Sequence, residues 1–296
     1  MCNQEQLTRW AREGLSRRQF GALGVMAVAG AACAPVAGPV AGDGSPITLP
    51  AMAERDVAFP TASGTMDGWF VHPVTRPAPA VILWPDIAGL RETKKDIARR
   101  LAGRGYSTLV LNQYYRDTKA PIWADFADFA GNGGWDRARA MRAKLTAEAI
   151  MADARAAVAW LDAQEEVDRQ RGIGSQGYCM GGPFAVWTAT AMPGRVKAAA
   201  SFHGGGLVRP NDRLSPHVQM ASANAGFLIA ISRDDHAKAM ADTDVLQDLA
   251  PSLGRGSTTK VYDADHGWTV PDSPAYAPAA EAESWDDLMR LYAANL

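Results

Sequence analysis

Arg171-Gly172-Ile173-Gly174-Ser175-Gln176-Gly177-Tyr178-Cys179-Met180-Gly181-Gly182 decides how the chain is read. Residues 171–176 carry a strand signal, the turn falls at Gly177, and 183–191 follows as a helical run. The glycines two residues either side of Cys179 have a mechanical reason to be there. A sharp strand-to-helix turn lifts a nucleophile above the carboxyl ends of a sheet, and only glycine leaves room for the backbone beside it. A helix N-terminus behind the thiol favours thiolate. The alternative is an inert buried cysteine, which packs as a small hydrophobe.

Outward from this turn, apolar runs alternate with helical patterns. Residues 66–72 read as an early hairpin strand, and 80–84 and 106–111 as two further strands, with Leu90, Ile97 and Leu101 at helical spacing between the last two. A long amphipathic helix is expected over 136–162, with Met141, Leu145, Ile150, Ala154, Val158 and Leu161 along one face. Downstream, 196–202, 227–232 and 258–263 are strand-like, and 242–249 is helical. Such alternation predicts an α/β protein with a mostly parallel central sheet and helices on both faces. No internal repeat is visible, and composition does not change after residue 50, so 55–296 is expected to fold as one domain.

Across 296 residues, 47% are hydrophobic and 21% charged, which suits a large core and rules out a disordered chain. The net charge of −2 lacks the basic excess that would hold a phosphate backbone, so nucleic acid is an unsuitable partner, as is an anionic lipid surface. Residues 1–34 read differently. Ser16-Arg17-Arg18-Gln19-Phe20 leads into the uncharged Gly/Ala-rich stretch 20–32, too short to span a bilayer, which needs about 20 apolar residues. Paired arginines ahead of a mild apolar segment resemble a twin-arginine export signal, which implies a twin-arginine translocase as partner and a periplasmic or secreted destination. Small residues before Cys33 resemble a lipoprotein processing site, and Ala-x-Ala cleavage sites lie nearby; the membrane is a partner only if Cys33 is lipidated. Residues 35–54 read as a linker. With Cys2 and Cys33 in the export segment, no second cysteine is left to form a disulfide with Cys179, and a disulfide framework is excluded.

A thiol nucleophile needs a base to take its proton and a carboxylate to hold that base, and on such a sheet they follow in the order nucleophile, acid, histidine. The strand at 227–232 ends in Arg233-Asp234-Asp235-His236, and the strand at 258–263 ends in Ala264-Asp265-His266-Gly267-Trp268. His266 fits the base, since it follows the last strand and its glycine neighbour permits a tight loop. Asp235 fits the acid with Asp234 as the fallback, the other being solvated; Asp265 adjoins the ring it would have to face and is structural. Of the remaining histidines His72, His203, His217 and His236, His203 stands at the end of its own strand and is expected to line the pocket, the alternative being an ordinary hydrogen-bonded loop histidine. The third locus is Trp84-Pro85-Asp86-Ile87-Ala88-Gly89-Leu90. An oxyanion needs two preorganised backbone N–H groups, one from the residue after the nucleophile and one from the loop after an early strand, here Met180 and Ile87. Asp86 pairs with a basic group, restrains the resting thiol, or is only a turn residue; spacing does not separate these.

Gly177-Tyr178-Cys179-Met180-Gly181-Gly182, Pro85-Asp86-Ile87-Ala88-Gly89-Leu90, Arg233-Asp234-Asp235 and His266-Gly267-Trp268 together resemble the dienelactone hydrolase family of the α/β-hydrolase fold, over roughly 55–296. The resemblance implies a Cys179–His266–Asp235 triad with Ile87 and Met180 as oxyanion donors. It also implies hydrolysis of a small-molecule ester or lactone through a thioester acyl-enzyme, without metal or organic cofactor. In the best-known members a glutamate holds the resting thiol; Asp86 matches that position and is one methylene shorter. Those enzymes bind a substrate carboxylate with arginines, which no motif assigns here; Arg91, Arg116, Arg209 and Arg233 are candidates, each expected to be a solvated side chain. Rival readings are an exported binding protein that keeps the fold and peroxide reduction, for which no resolving cysteine remains.

Overall fold

The computed structural model describes residues 51–296 and, ahead of them, Thr8 alone. The stretch read as an export signal, apart from Thr8, and most of that read as a linker therefore lie outside the described residues.

Among the described residues, eight strands form one sheet: β1 (Met52–Thr61), β2 (Gly64–Pro73), β3 (Ala80–Trp84), β4 (Ser107–Leu111), β5 (Ile173–Tyr178), β6 (Val196–Phe202), β7 (Gly226–Ser232) and β8 (Thr258–Tyr262). Their spatial order is β1-β2-β4-β3-β5-β6-β7-β8. The first two strands form an antiparallel hairpin that joins β4 antiparallel, and every pairing from β4 to β8 is parallel. This is the α/β-hydrolase fold.

Side chains alternate across the strands and so divide the core in two. Ala80, Ile82 and Trp84 of β3, Leu109 and Leu111 of β4, and Phe227, Ile229 and Ile231 of β7 face one layer. That layer contains helices α2 (Phe126–Gly131), α3 (Gly134–Arg142), α4 (Ala147–Asp162), α5 (Gly182–Ala191), α6 (Pro216–Met220) and α8 (Met240–Leu253). Val81, Leu83, Val110, Leu228 and Ala230 face the other, against α1 (Glu92–Ala102) and α9 (Pro278–Asn295). A short helix α7 (Arg233–Lys238) follows β7.

Three boundaries differ from the sequence reading. The first strand begins at Met52, inside the stretch read as linker, and its alternating exposure marks an edge strand with one covered face. The helix expected over 136–162 is two helices, α3 and α4. Thr146 breaks it, because its hydroxyl accepts the Ala149 N–H at 3.2 Å and caps α4 anew, the preference that sets threonine at helix starts. The C-terminal α9 was not anticipated; it opens with proline in its first turn and buries Trp285, Leu288, Leu291 and Tyr292 along one face.

Candidate active site

Every residue singled out for chemistry sits at the carboxyl end of a strand: Asp86 after β3, Cys179 after β5, His203 after β6, Asp234 and Asp235 after β7, and His266 after β8. Brought together by parallel pairing, these ends form the crevice where doubly wound sheets place their sites.

Cys179 opens a single 3₁₀ turn, Cys179–Gly181, that runs into α5, and it is held at φ 52°, the left-handed region that side chains avoid. The flanking glycines are required by close approach. A Cβ on Gly177 would stand 1.9 Å from the Gly181 carbonyl oxygen, and one on Gly181 would stand 2.6 Å from the carbonyl oxygens of Trp84 and Pro85. The thiol is thereby lifted into a pocket, which it lines with Asp86, Phe126, His203, His266, Val270 and Ser273.

His266 is buried, and its Nδ1 lies 2.6 Å from Asp235 Oδ2. Burial opposes ionisation of Asp235, but the bond and charge of His266, aided by Ser232, hold its carboxyl below the ordinary range. Asp234 is not the solvated member of the pair that sequence reading made of it. Its Oδ1 accepts the His266 backbone N–H at 2.7 Å, and its Oδ2 accepts from Lys238 at 2.6 Å, so one aspartate grips the ring and its neighbour grips the loop. Both carboxylates are fixed by the Ser232 hydroxyl, 2.8 Å from Asp234 Oδ1 and 2.7 Å from Asp235 Oδ2. Ser232 also accepts the Asp235 N–H as the cap of α7, a role legible in the pattern Ser-x-x-Asp. Asp265 pairs outward with Arg233 at 2.9 Å.

Asp86 is held by two cations. Arg91 meets it in a fork, Nη1 to Oδ1 at 2.7 Å and Nη2 to Oδ2 at 3.0 Å, and Lys94 Nζ lies 2.7 Å from Oδ2. Burial works against the charge, yet Arg91 and Lys94 outweigh it and hold the carboxyl far below its usual range. Arg91 grips Asp272 in a second fork, Nε to Oδ2 at 2.7 Å and Nη2 to Oδ1 at 2.8 Å, and Asp272 Oδ2 accepts the Phe126 N–H at 3.0 Å at the start of α2. Arg91 is thus fully buried rather than solvated, because two carboxylates compensate it. Arg116 is likewise paired, with Asp153 at 2.8 Å, and is largely buried. Arg233 is exposed, and Arg209 is half-buried, its guanidinium over the Trp187 ring.

The loop that carries Ile87 is pinned from beneath. The Asp86 carboxylate accepts the Ala88 N–H at 2.9 Å, and Gln113 Nε2 donates to the Asp86 carbonyl at 2.8 Å. Tyr114 donates to the Ile87 carbonyl at 2.9 Å, and its oxygen is 3.7 Å from the Met180 sulfur. Neither Tyr114 nor Gln113 was singled out from sequence; nothing in their spacing announces a role beneath a distant loop.

His203 is buried with its ring centroid 4.7 Å from that of His266, edge to face. Its Nε2 lies 3.1 Å from the Thr269 hydroxyl, and its Nδ1 has no hydrogen-bond partner among the described residues. Burial, then the neighbouring His266 ring, holds it neutral. One donor atom from each of Cys179, His203 and His266 lies within 4.8 Å of the others.

A sheet of this topology with a cysteine at its nucleophile turn and a histidine after its last strand defines a hydrolase of the α/β type. A model of the dienelactone hydrolase family matches residues 66–296, and the chain belongs to that family, whose members hydrolyse ester bonds. A putative carboxymethylenebutenolidase of Synechocystis sp. is 26% identical over 244 residues, 81% of this chain and 96% of that protein. The carboxymethylenebutenolidase of Rhodococcus opacus is 28% identical over 218 residues, 72% of this chain and 79% of its own length. A putative dienelactone hydrolase from Klebsiella pneumoniae superposes with a TM-score of 0.67 at 20% identity, covering 82% of this chain and 99% of that one.

Proposed function

We propose that the chain hydrolyses esters or lactones through a Cys179–His266–Asp235 triad and a thioester acyl-enzyme. The observation that carries this is the 2.6 Å contact of His266 Nδ1 with Asp235, on a ring that shares its pocket with Cys179. Asp235 fixes the tautomer that leaves His266 Nε2 as base. The thiolate attacks the acyl carbon, the developing oxyanion lies against the Ile87 and Met180 N–H groups, and the alcohol leaves with the proton from His266. Water deprotonated by His266 then cleaves the thioester and regenerates the thiol.

The acyl group is uncharged in this reading. No arginine or lysine lines the pocket, and Arg91 and Lys94, which lie against its Asp86, are committed to the carboxylates of Asp86 and Asp272. The relatives' name describes a lactone that bears a carboxymethylene group; a substrate carboxylate would here meet no arginine or lysine in the lining and would be desolvated at a cost. Hydrolysis of paired aryl esters, one neutral and one carboxylate-bearing, by the parent and by Cys179→Ala and His266→Ala tests both parts. Turnover that survives either substitution refutes the triad; equal kcat/KM for the pair refutes the neutral pocket.

Export is proposed on Arg17-Arg18 and the apolar stretch after them, with release after cleavage or anchoring through a lipidated Cys33. Cell fractionation of the Arg17→Lys/Arg18→Lys double variant tests it: accumulation in the cytoplasm is expected, and unchanged export would refute the twin-arginine route.

A further inference from the structure

We propose that Cys179, His203 and His266 form a binding site for one thiophilic divalent cation, zinc above all, whose occupancy reversibly silences the hydrolase. The three residues put one sulfur and two ring nitrogens within 4.8 Å of one another at the carboxyl ends of β5, β6 and β8, and all three are buried. Zinc takes thiolate at about 2.3 Å and imidazole at about 2.0–2.1 Å, so rotations of about 1 Å would close the cluster on a metal.

The outer atoms argue for the site as strongly as the inner ones. A ligating histidine holds its other nitrogen against a carboxylate, hydroxyl or carbonyl, which fixes the ring and its tautomer. Asp235 does this at His266 Nδ1 at 2.6 Å, which makes Nε2 the ligating nitrogen, and the Thr269 hydroxyl does it at His203 Nε2 at 3.1 Å. His203 Nδ1 is then a buried nitrogen with no hydrogen-bond partner among the described residues, an arrangement that costs free energy unless something uses the lone pair. The triad mechanism has no task for His203, whereas a metal has one. A set of one thiolate and two imidazoles leaves a fourth tetrahedral position, and the three ligands line the same pocket, where a water can complete it.

On binding, the Cys179 thiol loses its proton to solvent, a metal–sulfur bond forms, and each neutral imidazole donates a lone pair. The nucleophile and the lone pair of the base are both consumed, so hydrolysis stops. Because a proton is released, affinity rises with pH.

Cobalt(II) added to the whole protein in a non-chelating buffer is the probe, read by absorbance, with zinc competition and hydrolysis followed in parallel. One equivalent of cobalt is expected to give intense tetrahedral visible bands and a near-ultraviolet thiolate band, displaced by zinc. Hydrolysis should fall in step and return with EDTA. Cys179→Ala should lose the thiolate band, and His203→Leu should weaken binding more than tenfold. Thr269→Val, which leaves all three ligands in place, should weaken it by about 10- to 100-fold. Absence of the thiolate band, or undiminished affinity in both His203→Leu and Thr269→Val, overturns the site. A thiolate band in a protein that hydrolyses no ester supports the site while removing the proposed triad chemistry.

Discussion

The Tyr114 hydroxyl donates to the carbonyl oxygen of Ile87 at 2.9 Å while resting 3.7 Å from the Met180 sulfur, and so bridges the two residues that carry the proposed oxyanion donors. Burial, and then the neighbouring Asp86 and Cys179, keep that hydroxyl protonated and able to donate. Tyr114→Phe removes one hydrogen bond of about 1 kcal/mol, and kcat is expected to fall roughly fivefold with KM unchanged. The rate of Cys179 alkylation by iodoacetamide should stay that of the parent, which separates a loosened oxyanion loop from a damaged nucleophile.

Asp235 and Asp234 should differ in kind. Asp235→Asn keeps the shape but presents the wrong hydrogen-bonding partner to His266 Nδ1, and kcat is expected to drop by about 10³ to 10⁴. Asp234→Ala releases the backbone N–H of His266, together with Lys238 and one contact of the Ser232 hydroxyl, and is expected to cost about tenfold, since the ring still has Asp235. Steady-state kinetics on one ester ranks them; equal losses would show that the two carboxylates act as one unit.

Asp86 ties acid stability to the site. Its pKa in the fold lies below the unfolded value of about 3.9, so its ion pairs contribute fully above that pH. As pH falls through the folded value the proton is taken up and the contribution is lost. Urea unfolding should therefore show near-constant stability from this group between pH 7 and 5 and a loss that sets in below about pH 4. Asp86→Asn leaves Arg91 and Lys94 against one remaining carboxylate and should cost about 3–5 kcal/mol at pH 7, with a flatter acid limb.

Asp272 sets the charge behind the pocket. It is partly exposed and neutralises the far side of Arg91, so Asp272→Asn leaves the guanidinium with Asp86 and Lys94 alone. Relative kcat/KM for a carboxylate-bearing ester over its neutral twin should rise several-fold, and more at low salt, where charges are less screened. An unchanged ratio would place the selectivity in shape rather than charge.

The strands were legible because burial on both faces writes continuous apolar runs, as in Ala80–Trp84 and Gly226–Ser232. The elbow at Cys179 was legible because close approach of backbone admits only glycine. Arg91 was misread since a sequence shows an arginine's charge but not the two carboxylates, Asp86 and Asp272, that fold around it from 5 and 181 residues away. Thr269 was silent for a similar reason: its hydroxyl matters only through His203, 66 residues distant in sequence. The division at Thr146 is a different failure, a capping preference overruled in the reading by an apolar face that continues across it.

The left-handed backbone at Cys179 sets durability against activity. In ordinary structure glycine is less stable than alanine by about 0.5–1 kcal/mol. At φ 52° a side chain adds a steric penalty of the order of 1–2 kcal/mol that glycine escapes. Of two equally inactive proteins, Cys179→Gly should therefore melt above Cys179→Ala, reversing the usual order. Selection for heat resistance alone would drift toward glycine at this position; with the proposed triad, the demand for turnover is what keeps a thiol there.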